Sequence, residues 1–195
     1  MSIDQSELLI KKFILFLRER NLSVNTIRAY RADLESFYSF VKSEFPNITL
    51  TEINRLMTRS YLNYLQEKKY FRTTIARKIN VLRVFYRYLL KTELIKVNPL
   101  DYMVSPKIPK RIPTFLTEQE MNNLLNYSNN KSKFAIRDQA IWETMYSSGL
   151  RVSELVSLNV DDIDFWAGMI RVVGKGNKER IIPIGDTALK ILYNY

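Results

Sequence analysis

The first 104 residues contain no glycine. A β-rich fold of that length would need tight turns, and tight turns recruit glycine. Apolar residues here instead recur every three to four positions, the period of a helix with one buried face. Over residues 5–19 the row is Leu8, Leu9, Phe13, Phe16 and Leu17. Asn21-Leu22-Ser23 interrupts it, with Ser23 or Asn25 placed to cap a second helix over 26–42. That helix carries Ile27, Tyr30, Leu34, Phe37, Tyr38 and Val41 on one side. A third helix begins at Thr51 or Arg55 and runs to Glu67, with Ile53, Leu56, Tyr61, Leu62 and Leu65 expected inside. A fourth spans about 73–90, with Ile75, Ile79, Leu82, Phe85 or Tyr86, and Leu89 inward. Asn98-Pro99 closes the module. The spacing of the aromatic residues makes them core rather than platforms for stacking bases.

Charge says what such a bundle meets. The chain carries 30 Lys and Arg against 20 Asp and Glu, a net of +10. Residues 1–104 hold a net +8, residues 105–111 a net +3, and residues 112–195 a net −1. A basic module of this kind points to a polyanion, nucleic acid before an acidic membrane surface. The fourth helix concentrates the signal. Arg83 and Arg87 are four apart and share a face with Asn80 and Ala76, while Arg72, Arg77 and Lys78 lie at or near its start. These residues are expected to contact DNA phosphates.

Residues 104–113, VSPKIPKRIP, combine three prolines with three basic side chains. Prolines keep such a segment extended. It reads as a linker, over 105–113, between a first domain of residues 1–104 and a second of residues 114–195. Lys107, Lys110 and Arg111 would let it run along a DNA backbone as a basic strap.

All five glycines lie in the second half. Thr117-Glu118-Gln119-Glu120 is a capping box opening a helix to about Tyr127. Another helix runs from about Phe134 to Tyr146, with Gly149 suited to a left-handed terminus. Arg151 follows at once, then a short helix over Ser153-Glu154-Leu155. Residues 169–173 and 180–184 read as strands, joined by the hairpin Gly174-Lys175-Gly176-Asn177-Lys178-Glu179. A last helix starts at Thr187.

The composition also removes options. There is no cysteine, hence no disulfide and no thiolate zinc site, and no histidine, hence no His triad or His metal cage. No stretch approaches the roughly 20 apolar residues that span a bilayer. The start has no secretory pattern, so a soluble, cytoplasmic protein with no membrane partner is expected.

Two motifs, Ser148-Gly149-Leu150-Arg151-Val152-Ser153-Glu154-Leu155 and Gly174-Lys175-Gly176-Asn177-Lys178-Glu179-Arg180-Ile181-Ile182-Pro183, stand in this order after Arg137-Asp138. With Asn25-Thr26-Ile27-Arg28-Ala29-Tyr30 and Asn98-Pro99, they make the chain resemble the tyrosine recombinase, or phage integrase, family, and within it the Xer-type recombinases. The resemblance implies a mainly α fold. An N-terminal helical bundle (the SAM-like core-binding domain) would precede the first part of a mixed α/β catalytic domain with a small antiparallel sheet. It implies that Arg151 binds the scissile phosphate, that Lys175 donates a proton to the leaving 5′ oxygen, and that Glu154 supports the arginine. Lys178 and Arg180 would add phosphate contacts or support the hairpin. The implied partners are double-stranded DNA with inverted half-sites, and copies of itself or a paralogous recombinase in a tetrameric synapse. No cofactor or metal is implied.

The sequence departs from the family at its end. The expected His-x-x-Arg motif, a later His or Trp, and the tyrosine nucleophile are not found in these 195 residues. The chain is therefore expected to bind DNA without cleaving it alone. It reads as a fragment of a longer recombinase acting in chromosome-dimer resolution. A natural truncation that occupies recombination sites and a mobile-element integrase stay open as alternatives.

Overall fold

The computed structural model describes residues 5–104, 106–108, 112–126, 133–174, 176 and 178–195. It divides into two compact units, Met1–Arg111 and Ile112–Tyr195, a division that falls inside the proline-rich stretch.

The first unit is a bundle of four helices: α1 (Gln5–Glu19), α2 (Val24–Glu44), α3 (Arg55–Glu67) and α4 (Arg72–Lys91). Capping fixes where two of them start. Ser23 Oγ accepts the Thr26 N–H at 3.2 Å, and Asn54 Oδ1 accepts those of Leu56 and Met57 at 2.9 and 3.1 Å. These side chains satisfy donors that the first helical turn leaves unpaired. One core then forms from Phe13, Leu34, Phe37, Tyr61, Leu65, Leu82, Phe85, Tyr86 and their neighbours. Most of the aromatic residues are core, as their spacing predicts, while Tyr70, Phe71 and Tyr102 are exposed. The Phe13 and Phe85 rings meet edge-on at 5.2 Å, as do Phe37 and Tyr61 at 4.8 Å. The α2–α3 loop is pinned at Leu50, whose N–H donates to Ser6 Oγ at 3.2 Å and whose carbonyl accepts from the Tyr86 hydroxyl at 3.0 Å.

Two apolar positions depart from expectation. Leu56 is 76% exposed, not buried. Thr58, Tyr61 and Leu65 line the inner side of α3, and at 100° per residue Leu56 lies about 140° from Tyr61. Leu8 is also exposed, while Ile10 and Ile14 take the inner face of α1.

The second unit holds α5 (Glu118–Leu125), α6 (Ala135–Ser148), α7 (Val152–Val156), a 3-10 turn (Val160–Asp162), a three-stranded sheet and α8 (Asp186–Asn194). The capping box forms: Thr117 Oγ1 accepts the Glu120 N–H at 3.3 Å, and Glu120 Oε2 accepts the Thr117 N–H at 2.8 Å. The strands are β1 (Ile163–Asp164), β2 (Met169–Val173) and β3 (Glu179–Pro183), antiparallel in the order β1-β2-β3. β1 escapes sequence reading because two residues cannot show an alternation. Ile170, Val172, Leu150, Ile184 and Ala188 form the core of this unit. Pro183, which lacks an N–H, sits at the end of edge strand β3, where a missing donor is tolerated.

Candidate phosphate and nucleic-acid sites

The turn carrying Arg151 is fixed from both sides. Gly149, at φ 64°, ends α6 in the left-handed conformation and donates its N–H to the Met145 carbonyl at 2.9 Å. Leu150 is then buried in the second core, and Arg151 takes an extended backbone as the N-cap of α7. The chain thus turns a buried anchor into an exposed cation within two residues. Ser147, just upstream, accepts the Gly185 N–H on its hydroxyl at 2.6 Å, which ties the end of α6 to the start of α8.

Glu154 is the centre of the site. Its side chain is only 4% exposed, yet it faces two guanidinium groups. Oε1 accepts Arg151 Nη1 at 2.8 Å and Arg180 Nη1 at 2.7 Å. Oε2 accepts the Arg151 backbone N–H at 2.9 Å and Arg180 Nη2 at 2.9 Å. Its pKa is held down to about 2, first by the Arg180 hydrogen bonds and then by the Arg151 N–H, against the opposing effect of burial. The Arg151 side chain remains 66% exposed.

Arg180 reaches Glu154 because of sheet register. It pairs with Val172, and Ile182 with Ile170, so Arg180 is in phase with the inward-facing residues of β3. Of the two roles expected for it, a phosphate contact or support of the hairpin, the structure shows its guanidinium on Glu154. That alternation, Arg180 in step with Ile182 and Ile184, is the signal in the sequence that could have found it. Lys178 is exposed, and its carbonyl accepts the Gly174 N–H at 2.8 Å. Lys175, Lys110 and Arg111 lie outside the described residues. Lys107 is exposed.

On α4, Arg72, Asn80 and Arg87 are exposed along one face, and Arg83 is half-buried, donating to the Met103 carbonyl. Arg77 and Lys78 do not join that face. Both turn to Asp33 of α2: Arg77 pairs with Oδ2, and Lys78 Nζ lies 3.2 Å from Oδ1 and 3.2 Å from Ser36 Oγ. Lys78, expected at the DNA, is buried in this ion pair, its ammonium 5.6 Å from the centre of the Tyr70 ring. A carboxylate buried at 3% exposure demands such partners. Asp33 was missed, although its place four residues before Phe37 on the inner row of α2 marks it.

Residues 114–195 match the family model described as Phage integrase family, and residues 10–93 that of the Phage integrase, N-terminal SAM-like domain. The chain belongs to the phage integrase family. Among curated members of this family, a Tyrosine recombinase XerC of Pelotomaculum thermopropionicum is 39% identical over 191 residues, which is 95% of this chain and 62% of that protein. A Tyrosine recombinase XerD of Shewanella oneidensis is 38% identical over 176 residues, 90% of this chain and 58% of that protein. The chain thus spans less than two thirds of the length of these relatives. A lambda integrase tetramer bound to a Holliday junction shares the integrase fold, with a TM-score of 0.74 at 17% identity over 96% of this chain and 55% of that one. The Tn1549 transposon integrase, in complex with circular intermediate DNA, does so with a TM-score of 0.68 at 19% identity over 96% of this chain and 62% of that one. Among the described residues, no helix is long and apolar enough to cross a membrane.

Proposed function

We propose that this chain is the DNA-gripping and phosphate-binding part of a site-specific recombinase that cuts and rejoins DNA through a 3′-phosphotyrosine intermediate. The observation that carries the proposal is an exposed guanidinium, Arg151, steered by a buried carboxylate, Glu154, on a hydrogen-bonded turn. In this reaction a tyrosine oxygen attacks the scissile phosphorus. The phosphorus–5′ oxygen bond breaks, and the 5′ oxygen leaves with a proton. Attack by another strand's 5′ hydroxyl then re-forms a phosphodiester and releases the tyrosine, so bond energy is conserved and no nucleotide is spent. Arg151 stabilises the charge that grows on the non-bridging oxygens. Lys175 serves as the acid for the leaving oxygen, a role that rests on its place in the hairpin motif.

The nucleophile lies outside these 195 residues on this reading, because the chain has no histidine and no tyrosine in the context of a His-x-x-Arg motif. The exposed face of α4, at Arg72, Asn80 and Arg87, with half-buried Arg83 beside it and the basic linker, supplies the electrostatic grip. The full site would be two inverted half-sites held in a tetramer of this protein or of it and a paralogue.

The test is a set of nicked suicide duplexes selected from a random-sequence library by binding to this chain. A salt-sensitive, non-covalent complex on sites with inverted half-sites is expected. A covalent protein–DNA adduct would show that the nucleophile is present after all, and failure to bind any duplex would remove the DNA reading.

A further inference from the structure

Glu154 has about four lone-pair positions on its two oxygens, and the two arginines occupy all of them. The division is unequal. Arg180 commits both terminal nitrogens in a parallel fork, the strong bidentate geometry for a guanidinium on a carboxylate. Arg151 gives one guanidinium nitrogen and its backbone N–H. Two cations and one anion leave a net +1. Because Arg180 is the more sheltered partner and makes the bidentate contact, the residual charge sits on the exposed Arg151.

We infer that Arg180 is a positioning residue that occupies Glu154, so that the carboxylate aims the Arg151 guanidinium without neutralising it. Removing Arg180 opens the bidentate edge of Glu154. Among the described residues Arg151 is then the one cation paired with it, and the pair closes into a neutral internal salt bridge that competes with any incoming anion. A second observation supports the division. A Cβ at Gly174 would stand 2.9 Å from Arg180 Nη1 and 3.7 Å from Glu154 Oε1. A side chain at 174 would therefore make the Arg180 guanidinium shift from its place beside Glu154.

This deepens the proposed function by assigning Arg180 a part in phosphate binding, and it rests on that reading only in taking the anion to be a DNA phosphate. The experiment therefore uses inorganic phosphate. In the full 195-residue chain, the Arg151 Nε–Hε resonance, assigned by its loss in Arg151→Lys, is followed by NMR during a phosphate titration at fixed ionic strength. The wild-type chain should show a saturating shift. Arg180→Gln should bind phosphate about tenfold more weakly, the scale of one charge-assisted hydrogen bond. Adding Glu154→Gln to Arg180→Gln should restore most of that loss, because the competing charge is gone; a merely structural Arg180 predicts a double variant no better than the single. Should Arg180→Gln fail to fold, Arg180→Lys, which keeps the charge but not the fork, should still weaken binding. Wild-type affinity in the Arg180 variant that folds, no rescue by Glu154→Gln, or no phosphate response at Arg151 in the wild type each overturns the inference. Duplex-DNA gel shifts run in parallel separate the two readings. Loss of DNA binding with the phosphate pattern intact removes the recombinase reading alone, and the reverse removes the inference alone.

Discussion

A carboxylate pressed between two arginines makes Glu154 one of the residues on which the pH behaviour of the second unit depends. Its folded pKa, about 2, lies below the ordinary 4.5, so its contribution to stability is complete above the ordinary value and is lost as pH falls through about 2. Thermal melts of the wild type should therefore lose stability across that acid window, and Glu154→Gln should flatten the loss. Gly149→Ala places a Cβ on a residue at φ 64°, and urea denaturation should register a loss of about 1 kcal/mol, the cost of the left-handed conformation for an L-residue. Thr144 makes the opposite case. Its hydroxyl oxygen is buried without a hydrogen-bond partner among the described residues. Thr144→Val should raise stability by about 1 kcal/mol in the same assay, because an unpaired buried hydroxyl is unfavourable.

At the scale of elements, α4 has two faces with different work. One turns Arg77 and Lys78 onto Asp33 and fastens α4 to α2. Asp33→Ala would leave a buried ammonium without its counter-charge, and chemical denaturation should show a loss of about 3 kcal/mol. The other face presents Arg72 and Arg87 to solvent. If it meets DNA, each arginine changed to Ala should shallow the slope of log affinity against log salt by about 0.9, the contribution of one phosphate contact. An unchanged slope in the double variant would remove α4 from the DNA face. The helical periods of α1–α4 were legible because each buries a long stripe against the same core. Leu56 misled because a residue can be apolar and helical yet lie off the stripe, and only the packing of Tyr61 and Leu65 reveals where the stripe runs.

Over the whole molecule, charge and chemistry are separated along the chain. The helical module of residues 1–104 carries the net +8, while residues 112–195 carry a net −1 and the Arg151–Glu154–Arg180 cluster. Among the described residues, the core of the first unit is built from Leu9 to Leu100 with Met103 packed against it, so residues 1–111 should fold cooperatively on their own, as judged by circular dichroism and a single denaturation transition.

The sequence by itself determined the helices, the capping box at Thr117, the left-handed turn at Gly149 and the hairpin strands. All of these follow from local spacing and local backbone preference. It also brought Arg151 and Glu154 together, since they share one turn of helix and a capping hydrogen bond. What Arg77, Lys78 and Arg180 do was decided only by tertiary structure. A basic side chain looks the same in sequence whether it faces a phosphate or a buried carboxylate. The carboxylate partner is 44 residues away for Arg77 and 26 away for Arg180, brought near by helix packing in one case and by sheet register in the other.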